Sequence, residues 1–235
     1  MSGPWLLAID TSTSAVVVAA GEPAGTLLAT RSFPAEHHHG SHLLPAIADL
    51  VRDTGLQLGD LRGVIVGTGP GAFTGLRVGL ATAKVLAHEL GIPIVGIATS
   101  DALLAAVPGA TALVLPAGPH DRTIVERGSR PTLLAGDAGD AGDAASAGSA
   151  GLAGRAGAAA VIAIDLAGRA PAAALEAGAR AVAELPAQLL ALGAARLAAR
   201  ATDDVARLVP AYVSLPRGVT TEVGEGGVAW SRDPR

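Results

Sequence analysis

Residues 64–90 constrain the fold of this chain more than any other part of the sequence. They begin with a short β-branched apolar run, continue through a segment rich in glycine, and end in a run of helix-forming residues. Such an apolar run has the length and composition of a buried strand. Because glycine adopts positive φ angles at low cost, the middle segment predicts a tight loop close to other backbone. Gly91 is placed to cap the following helix and Pro93 to stop it, so we predict strand, loop and a helix over 75–90.

The glycine loop has two interpretations, a tight turn or an anion site. A glycine loop before a helix can direct backbone N–H groups at a phosphate. However, its glycines do not follow the dinucleotide-binding order G-x-G-x-x-G, and no Lys-Ser/Thr pair follows them as in a Walker loop. On these residues alone we favour the tight turn. Asp10 and the hydroxyls of residues 11–14 could hold a metal-bound phosphate, but a turn bonded to its own backbone is again the simpler interpretation.

Composition narrows the function classes. The 235-residue chain has no cysteine, which excludes disulfides, thiolate catalysis and zinc–thiolate sites. Its net charge of −4 argues against a large nucleic-acid-binding surface. The N-terminus lacks the basic segment of a signal peptide, and no uncharged apolar stretch is long enough to span a membrane. We therefore expect a soluble cytoplasmic protein.

Strand-like and helix-like segments alternate in a pattern typical of a two-part α/β fold. In the first half, strands are predicted at residues 6–9, 15–20, 26–32, 64–66 and 94–97. Near residues 108–109 the pattern starts again, with strands at 112–115, 123–126 and 161–164 and helices at 172–184 and 187–201. The second half therefore looks like a reduced repeat of the first. The Gly/Ala/Asp/Ser-rich segment at about 136–160 is predicted to be a loop on which no site depends.

A cluster of histidines precedes the predicted helix that runs to Gly55. His38 and His42 are four residues apart, so on a helix they would share a face and could bind a metal together. Only Glu36 offers another ligand nearby, and short histidine runs are often simply hydrated. We therefore do not expect a metal site at this histidine cluster.

Four motifs, in order and spacing, resemble the TsaB (YeaZ) family, the dimerisation subunit of the bacterial complex that forms threonylcarbamoyladenosine in tRNA. They are IDTSTS at 9–14, HGSHLLP at 39–45, GTGPGAFTGLRVGLATAK at 67–84 and GIPIVGI at 91–97. The match is strong over roughly the first hundred residues and weaker in LVLPAGPHDRTIVE and LVPAYVS. One departure is Ala72, where the family usually has serine, and we expect it to be tolerated.

The resemblance implies an actin/Hsp70-like (ASKHA) fold, in which two related α/β subdomains have mixed sheets flanked by helices. We assign the first subdomain to residues 1–106, the reduced second one to 107–214 and a polar tail to 215–235. In this superfamily nucleotide chemistry needs phosphate loops from both halves, and the second half shows no D-x-G-G-type loop.

The resemblance also implies that the chain is a pseudo-enzyme. TsaD, the catalytic paralogue, carries a metal-binding H-x-x-x-H pair just after the strand that corresponds to GIPIVG. Thr99 and Leu103 stand at those positions here, and neither side chain can replace an imidazole ligand of iron or zinc. We therefore expect no catalytic, cofactor-binding or metal-binding residues.

A partner surface on two helices is the site that the resemblance implies instead. Small residues at every fourth position of the second helix would let a partner helix approach closely. The predicted contact residues are His39, Leu43 and Ile47 on the first helix and Gly75, Leu76, Gly79, Leu80, Ala83, Lys84 and Ala87 on the second. The alternative is that this stripe packs on the protein's own sheet, beside a solvated basic stripe that includes Arg77 and His88. We favour the partner surface.

Two function classes compete. The first is a non-catalytic scaffold that binds TsaD in a four-helix bundle and supports threonylcarbamoyl transfer to the tRNA adenosine next to the anticodon. A homodimer through the same face and a TsaE-type ATPase in the larger complex are further implied partners, with tRNA bound only indirectly and no membrane. The second class is a small ASKHA enzyme, either an ATP-dependent kinase or a metallopeptidase-like protein. The missing second-half loop and the missing metal pair favour the scaffold, and the acidic charge and few aromatic residues argue against direct tRNA binding.

Overall fold

A five-stranded mixed sheet forms the first half of the computed structural model, which describes residues 3–35, 39–117, 121–134, 161–213, 219–224 and 227–232. Its strands are β1 (Trp5–Asp10), β2 (Ala15–Gly21), β3 (Leu27–Pro34), β4 (Leu61–Gly67) and β5 (Ile94–Ile97). They are arranged in the order β3-β2-β1-β4-β5. The first three strands form an antiparallel meander, and β4 and β5 are added in parallel. All five predicted strands are confirmed. The apolar runs of β1, β2, β4 and β5 form buried strands, whereas β3 is a more exposed strand at the edge of the sheet.

The second sheet repeats this arrangement on a smaller scale. It contains β6 (Ala112–Pro116), β7 (Arg122–Glu126), β8 (Thr132–Leu134) and β9 (Val161–Ala163), in the order β8-β7-β6-β9. Again three strands form an antiparallel meander and the fourth pairs in parallel with the first of them. In the described residues this sheet has no counterpart of β5. The prediction of a reduced repeat is therefore confirmed.

Helices cover both faces of the first sheet. On one face, α1 (His39–Thr54) and α2 (Phe73–Leu90) enclose a core that includes Trp5, Leu7 and Ile9. On the other face, α4 (Ala172–Ala198) packs on Leu6 and Ala8, and α3 (Thr99–Ala106) packs against α4 in the same core. Because successive side chains of a strand point to opposite faces, β1 contributes to both layers.

The α4 helix corrects one prediction. Two helices were expected, at 172–184 and 187–201, but one helix runs through Pro186 without a break. A proline inside a helix costs about 3 kcal/mol. The fully buried Leu185 and Leu189 lie in the core that joins both sheets, and their burial offsets this cost. Among the described helices, α4 is also the one long and apolar enough to cross a membrane by length and composition, a property that core helices share.

The segment after α4, residues 202–213, is named the C-terminal strap here. It covers the β5 edge of the first sheet, where the Asp203 N–H donates to the carbonyl oxygen of Ile94 at 2.9 Å. The Asp203 carboxylate accepts a hydrogen bond from the Gly96 N–H at 2.8 Å. Because the strap binds the edge with backbone and side-chain groups, it protects this edge from pairing with other strands.

Part of the predicted polar tail is a hairpin. Strands β10 (Val219–Gly224) and β11 (Gly227–Arg232) pair antiparallel over their whole length. The low-complexity segment at 136–160 lies outside the described residues. The subdomain limits at 106 and 214 stay predictions.

Candidate functional site

The β1–β2 turn, which was a candidate phosphate loop, is closed around the carboxylate of Asp10. This side chain is fully buried. Its Oδ1 accepts hydrogen bonds from the N–H and the hydroxyl of Ser12, each at 2.8 Å. Its Oδ2 accepts one from the Thr99 hydroxyl at 2.6 Å. Burial raises the pKa of the Asp10 carboxyl above its ordinary value, although the hydrogen bonds from Thr99 and Ser12 oppose this shift.

The glycine loop packs directly on this turn. The Ala72 N–H donates to the carbonyl oxygen of Ser12 at 2.7 Å. Within the loop, Gly69 has a φ of 93°, the conformation that glycine adopts most easily. A Cβ at Gly71 would overlap the Ser12 carbonyl, and one at Gly67 would overlap the Asp10 carboxylate. The interpretation as a tight turn with close packing is therefore confirmed.

The expected outward orientation of the small-residue stripe on α2 is wrong. Apart from the half-buried Lys84, the predicted contact residues on α2 are all buried against the first sheet: Gly75, Leu76, Gly79, Leu80, Ala83 and Ala87. Ala83 is 0% exposed. A Cβ at Gly79 would overlap the hydroxyl of Thr11, which itself donates to the Gly75 carbonyl oxygen at 2.7 Å. The small residues thus let α2 approach its own β1–β2 turn, so they are not available as an outer surface.

The α1 helix gives the same correction. Leu43 and Ile47 are buried in the core beneath the helix. His39 begins α1, and its side chain lies outside the described part of the chain. The predicted contacts on α1 with described side chains therefore belong to the protein's own core.

The outer surface of these two helices consists of different residues. Leu44 on α1 is 55% exposed and Val85 on α2 is 60% exposed. Ala48 and Ala81, one helical turn from each, are also exposed. We call Leu44, Ala48, Ala81 and Val85 the outer α1/α2 face. Their helical spacing could have identified this face, because it is the second apolar stripe beside the buried one.

The basic stripe of α2 holds the C-terminal strap. The Lys84 Nζ donates to the carbonyl oxygens of Ala206 at 3.3 Å and Leu208 at 3.0 Å. The Arg77 Nε donates to the Tyr212 hydroxyl at 3.1 Å, and the Arg77 guanidinium lies 3.9 Å from the centre of the Phe73 ring. A guanidinium that lies over an aromatic ring is attracted to it, so the contact with Phe73 helps to hold Arg77 in position. The contacts with the strap were not predicted, because they join residues more than a hundred positions apart.

Thr99 and Leu103, the two positions that the family resemblance compared with metal ligands, are part of the core. The Thr99 hydroxyl donates a hydrogen bond to Asp10 and accepts one from the Gly69 N–H at 3.1 Å. The Leu103 side chain is fully buried. Of the histidine pair, His42 is exposed and His38 lies outside the described residues. Within the described residues, no group of three His, Asp or Glu side chains is placed to hold a metal ion.

Comparisons with known proteins find relatives of the family that the four sequence motifs resemble. A family model described as TsaD, tRNA N6-adenosine threonylcarbamoyltransferase, matches residues 34–141. An uncharacterised protein of Mycobacterium leprae is 40% identical over 119 residues, which are 49% of this chain and 33% of that protein. The tRNA threonylcarbamoyladenosine biosynthesis protein TsaB of Escherichia coli is 35% identical over 94 residues, 40% of each chain. The matches thus span less than half the length of these two curated relatives.

A solved structure extends the likeness to nearly the whole chain. YeaZ from Pseudomonas aeruginosa superposes with a TM-score of 0.61 at 24% identity, covering 89% of this chain and 99% of that chain. The shared architecture of two mixed sheets flanked by helices is the predicted actin/Hsp70-like (ASKHA) fold.

Proposed function

Because this chain belongs to the TsaB (YeaZ) family, we propose that it takes part in forming threonylcarbamoyladenosine in tRNA as a non-catalytic subunit. Its task is to bind a TsaD-type catalytic subunit and support threonylcarbamoyl transfer to the adenosine next to the anticodon.

The outer α1/α2 face carries this proposal. Leu44 and Val85 expose apolar side chains on two neighbouring helices. The exposed residues one helical turn away, Ala48 and Ala81, have small side chains. Helices pack at about 8–10 Å when such small residues lie at the contact. Exposed apolar patches rimmed by polar residues typically mark protein–protein interfaces. Two helices of a TsaD-type subunit would complete a four-helix bundle here.

The state of the β1–β2 turn supports a scaffold over an enzyme. An ASKHA kinase would need the Asp10 carboxylate to face a nucleotide and its metal. Here the carboxylate is buried and accepts three hydrogen bonds from Ser12 and Thr99. Thr99 and Leu103, at the TsaD ligand positions, offer no metal ligand.

The wider assembly follows from the same role. A second copy could occupy the outer α1/α2 face as a homodimer when TsaD is absent. A TsaE-type ATPase joins the larger complex, tRNA is contacted only indirectly, and the whole assembly works in the cytoplasm.

A charge at the centre of the proposed interface tests the partner assignment. Val85→Arg should leave the monomer folded, because the side chain is exposed and arginine is a good helix former. On association the arginine would face an apolar surface, which costs about 3–5 kcal/mol when uncompensated. We expect affinity for a TsaD protein of the same source to fall a few hundred-fold or more.

Leu133→Arg is the matched control for this experiment. Leu133 is 41% exposed on the second sheet, away from both interface helices. The Leu133→Arg variant should therefore bind TsaD with the affinity of the wild type. A folded Val85→Arg protein with wild-type affinity would contradict the interface. Hydrolysis of ATP by the isolated wild-type chain in the presence of Mg²⁺ would instead favour the kinase.

A further inference from the structure

The C-terminal strap carries an exposed apolar residue, Val209, on its outer side. Val209 is 67% exposed, the highest exposed fraction among the large apolar side chains of the described residues. The residue before it, Leu208, is half-buried and packs in the same core as α1 and α2. The strap is therefore anchored by one apolar side chain and displays the next one to the outside.

The backbone on both sides of Val209 is held in place. The Leu208 carbonyl oxygen accepts a hydrogen bond from the Lys84 Nζ at 3.0 Å. Two residues after Val209, the Ala211 N–H donates to the carbonyl oxygen of Thr68 at 2.8 Å. Because the backbone is already ordered, little conformational entropy would be lost when Val209 meets a partner.

The strap borders the outer α1/α2 face. Lys84, which holds the strap, directly precedes Val85 of that face and lies three residues after Ala81. Residues three apart on a helix are neighbours on its surface. The strap and the outer α1/α2 face therefore lie on adjoining sides of α2, and Val209 adds a third exposed large apolar side chain at this border.

Two cations accompany Val209. Arg207 is exposed two residues before it, and the exposed Arg77 of α2 donates through its Nε to the hydroxyl of Tyr212, three residues after it. In the described part of the chain neither guanidinium forms an ion pair with a carboxylate. The Asp204 carboxylate of the strap accepts instead from the backbone N–H of Arg207, at 3.1 Å. An apolar residue beside unpaired cations suits a partner surface that presents carboxylates.

We propose that the C-terminal strap is the third element of the partner surface. Val209 is its apolar contact, and Arg77 and Arg207 face carboxylates of the partner. The occupant is the TsaD-type subunit bound by the outer α1/α2 face, because the strap is continuous with that face, so this inference rests on the proposed function. Opposite charges at the rim speed association, whereas burial of the apolar residue slows dissociation.

Val209→Ser tests the apolar contact. We expect its affinity for a TsaD protein of the same source to fall roughly ten-fold, as the loss of one buried valine side chain implies. Because Val209 is exposed in the monomer, melting followed by circular dichroism should match the wild type. Leu133→Ser is the matched control, since Leu133 is also exposed but lies on the second sheet, and it should bind with wild-type affinity.

Arg207→Glu tests the charges. Its association with TsaD should be several-fold slower than that of the wild type at low salt, and the difference should shrink as salt screens the charges. Arg130→Glu changes the net charge by the same amount at an exposed position next to the second sheet. This control should associate at nearly the wild-type rate.

The outcomes separate this inference from the proposed function. Wild-type affinity of Val209→Ser would overturn the strap contact, and binding lost in Val85→Arg at the same time would leave the proposed function standing. Weak binding by Val209→Ser beside normal binding by Val85→Arg would support the strap and refute the outer α1/α2 face. Equal association rates of Arg207→Glu and Arg130→Glu at every ionic strength would overturn the role of the cations.

Discussion

The Thr99 hydroxyl donates to the Asp10 carboxylate across 2.6 Å in the core of the protein. This bond links the end of β1 to the start of α3, and the same hydroxyl accepts the Gly69 N–H of the glycine loop at 3.1 Å. Three segments that are distant in the sequence therefore meet at one side chain. The Thr99 hydroxyl thus stabilises a buried carboxylate.

Replacing Thr99 by valine tests the structural role of this hydroxyl. Valine keeps the shape but removes a donor to Asp10 and an acceptor for Gly69, and leaving such buried groups unpaired costs about 1–3 kcal/mol each. With two groups left unpaired, we expect Thr99→Val to lower the free energy of unfolding by about 2–6 kcal/mol, measured by urea denaturation. Thr26→Val, at an exposed position, is the control and should change stability little. Equal stability of the two variants would contradict this role.

The pH dependence of stability should show the raised pKa of Asp10. Because the folded state raises this pKa above 3.8, the folded protein favours the protonated carboxyl more than the unfolded chain does. The contribution of Asp10 to stability is therefore fully present below the unfolded pKa and is lost as the pH rises through the folded pKa.

Asp10→Asn isolates this contribution, since the amide has nearly the same shape and does not titrate. The stability of the wild type relative to the variant should be greatest in acid and should decrease as the pH rises above 3.8, until the carboxyl of the folded protein is ionised. Urea midpoints of both proteins across this range provide the measurement. Parallel curves would show that Asp10 titrates alike in the folded and unfolded states.

Ala83→Arg should destabilise the monomer. Ala83 is 0% exposed and packs in the core between α2 and the first sheet, so an arginine there would be a buried, unpaired charge. Such a charge costs about 3–5 kcal/mol, a large part of the stability of a typical domain. Circular dichroism melting should show a strongly lowered Tm, whereas Val85→Arg should melt near the wild type. An Ala83→Arg protein as stable as the wild type would mean that α2 has its other face outward.

Gly71→Ala should also lower stability, through crowding. The added Cβ would overlap the carbonyl oxygen of Ser12, which is backbone and cannot rotate away. Forcing extra atoms into a packed site typically costs about 1–3 kcal/mol. Gly109→Ala is a matched control, since a Cβ there has nothing within 4 Å. The difference between the two denaturation midpoints measures the effect, and a Gly71→Ala variant that matches the control would show that the loop can move away from the turn.

The strands and the main helices could be predicted because their signals are local. Apolar runs identified both sheets, and Gly91 ends α2 in the left-handed conformation that its position before Pro93 predicted. The predicted break between two helices near Pro186 was wrong for the same reason. The helix-breaking tendency of proline is a local signal, whereas α4 stays continuous because it packs in the core between both sheets.

The site could be predicted only in part. A stripe of glycine and alanine suits a partner helix and a nearby sheet equally well, so Gly79 and Ala83 did not reveal their orientation. What decides it is the Thr11 hydroxyl under Gly79, a contact between residues 68 positions apart that no local pattern reports. Likewise, the bonds of Lys84 to the C-terminal strap depend on where α4 ends and not on anything near Lys84.

The position of α4 has a consequence for the order of events during synthesis. Residues 5–97 build the first sheet, but one face of β1, β2 and β4 is covered by a helix that begins at Ala172. A chain emerging from the ribosome therefore has the first sheet half-covered until the last long helix has been made. Domains commonly fold from the N-terminus as they are synthesised. Here the first half must wait for a helix that the second half supplies, so a truncated translation product would expose Leu6, Ala8 and Val17 to other chains.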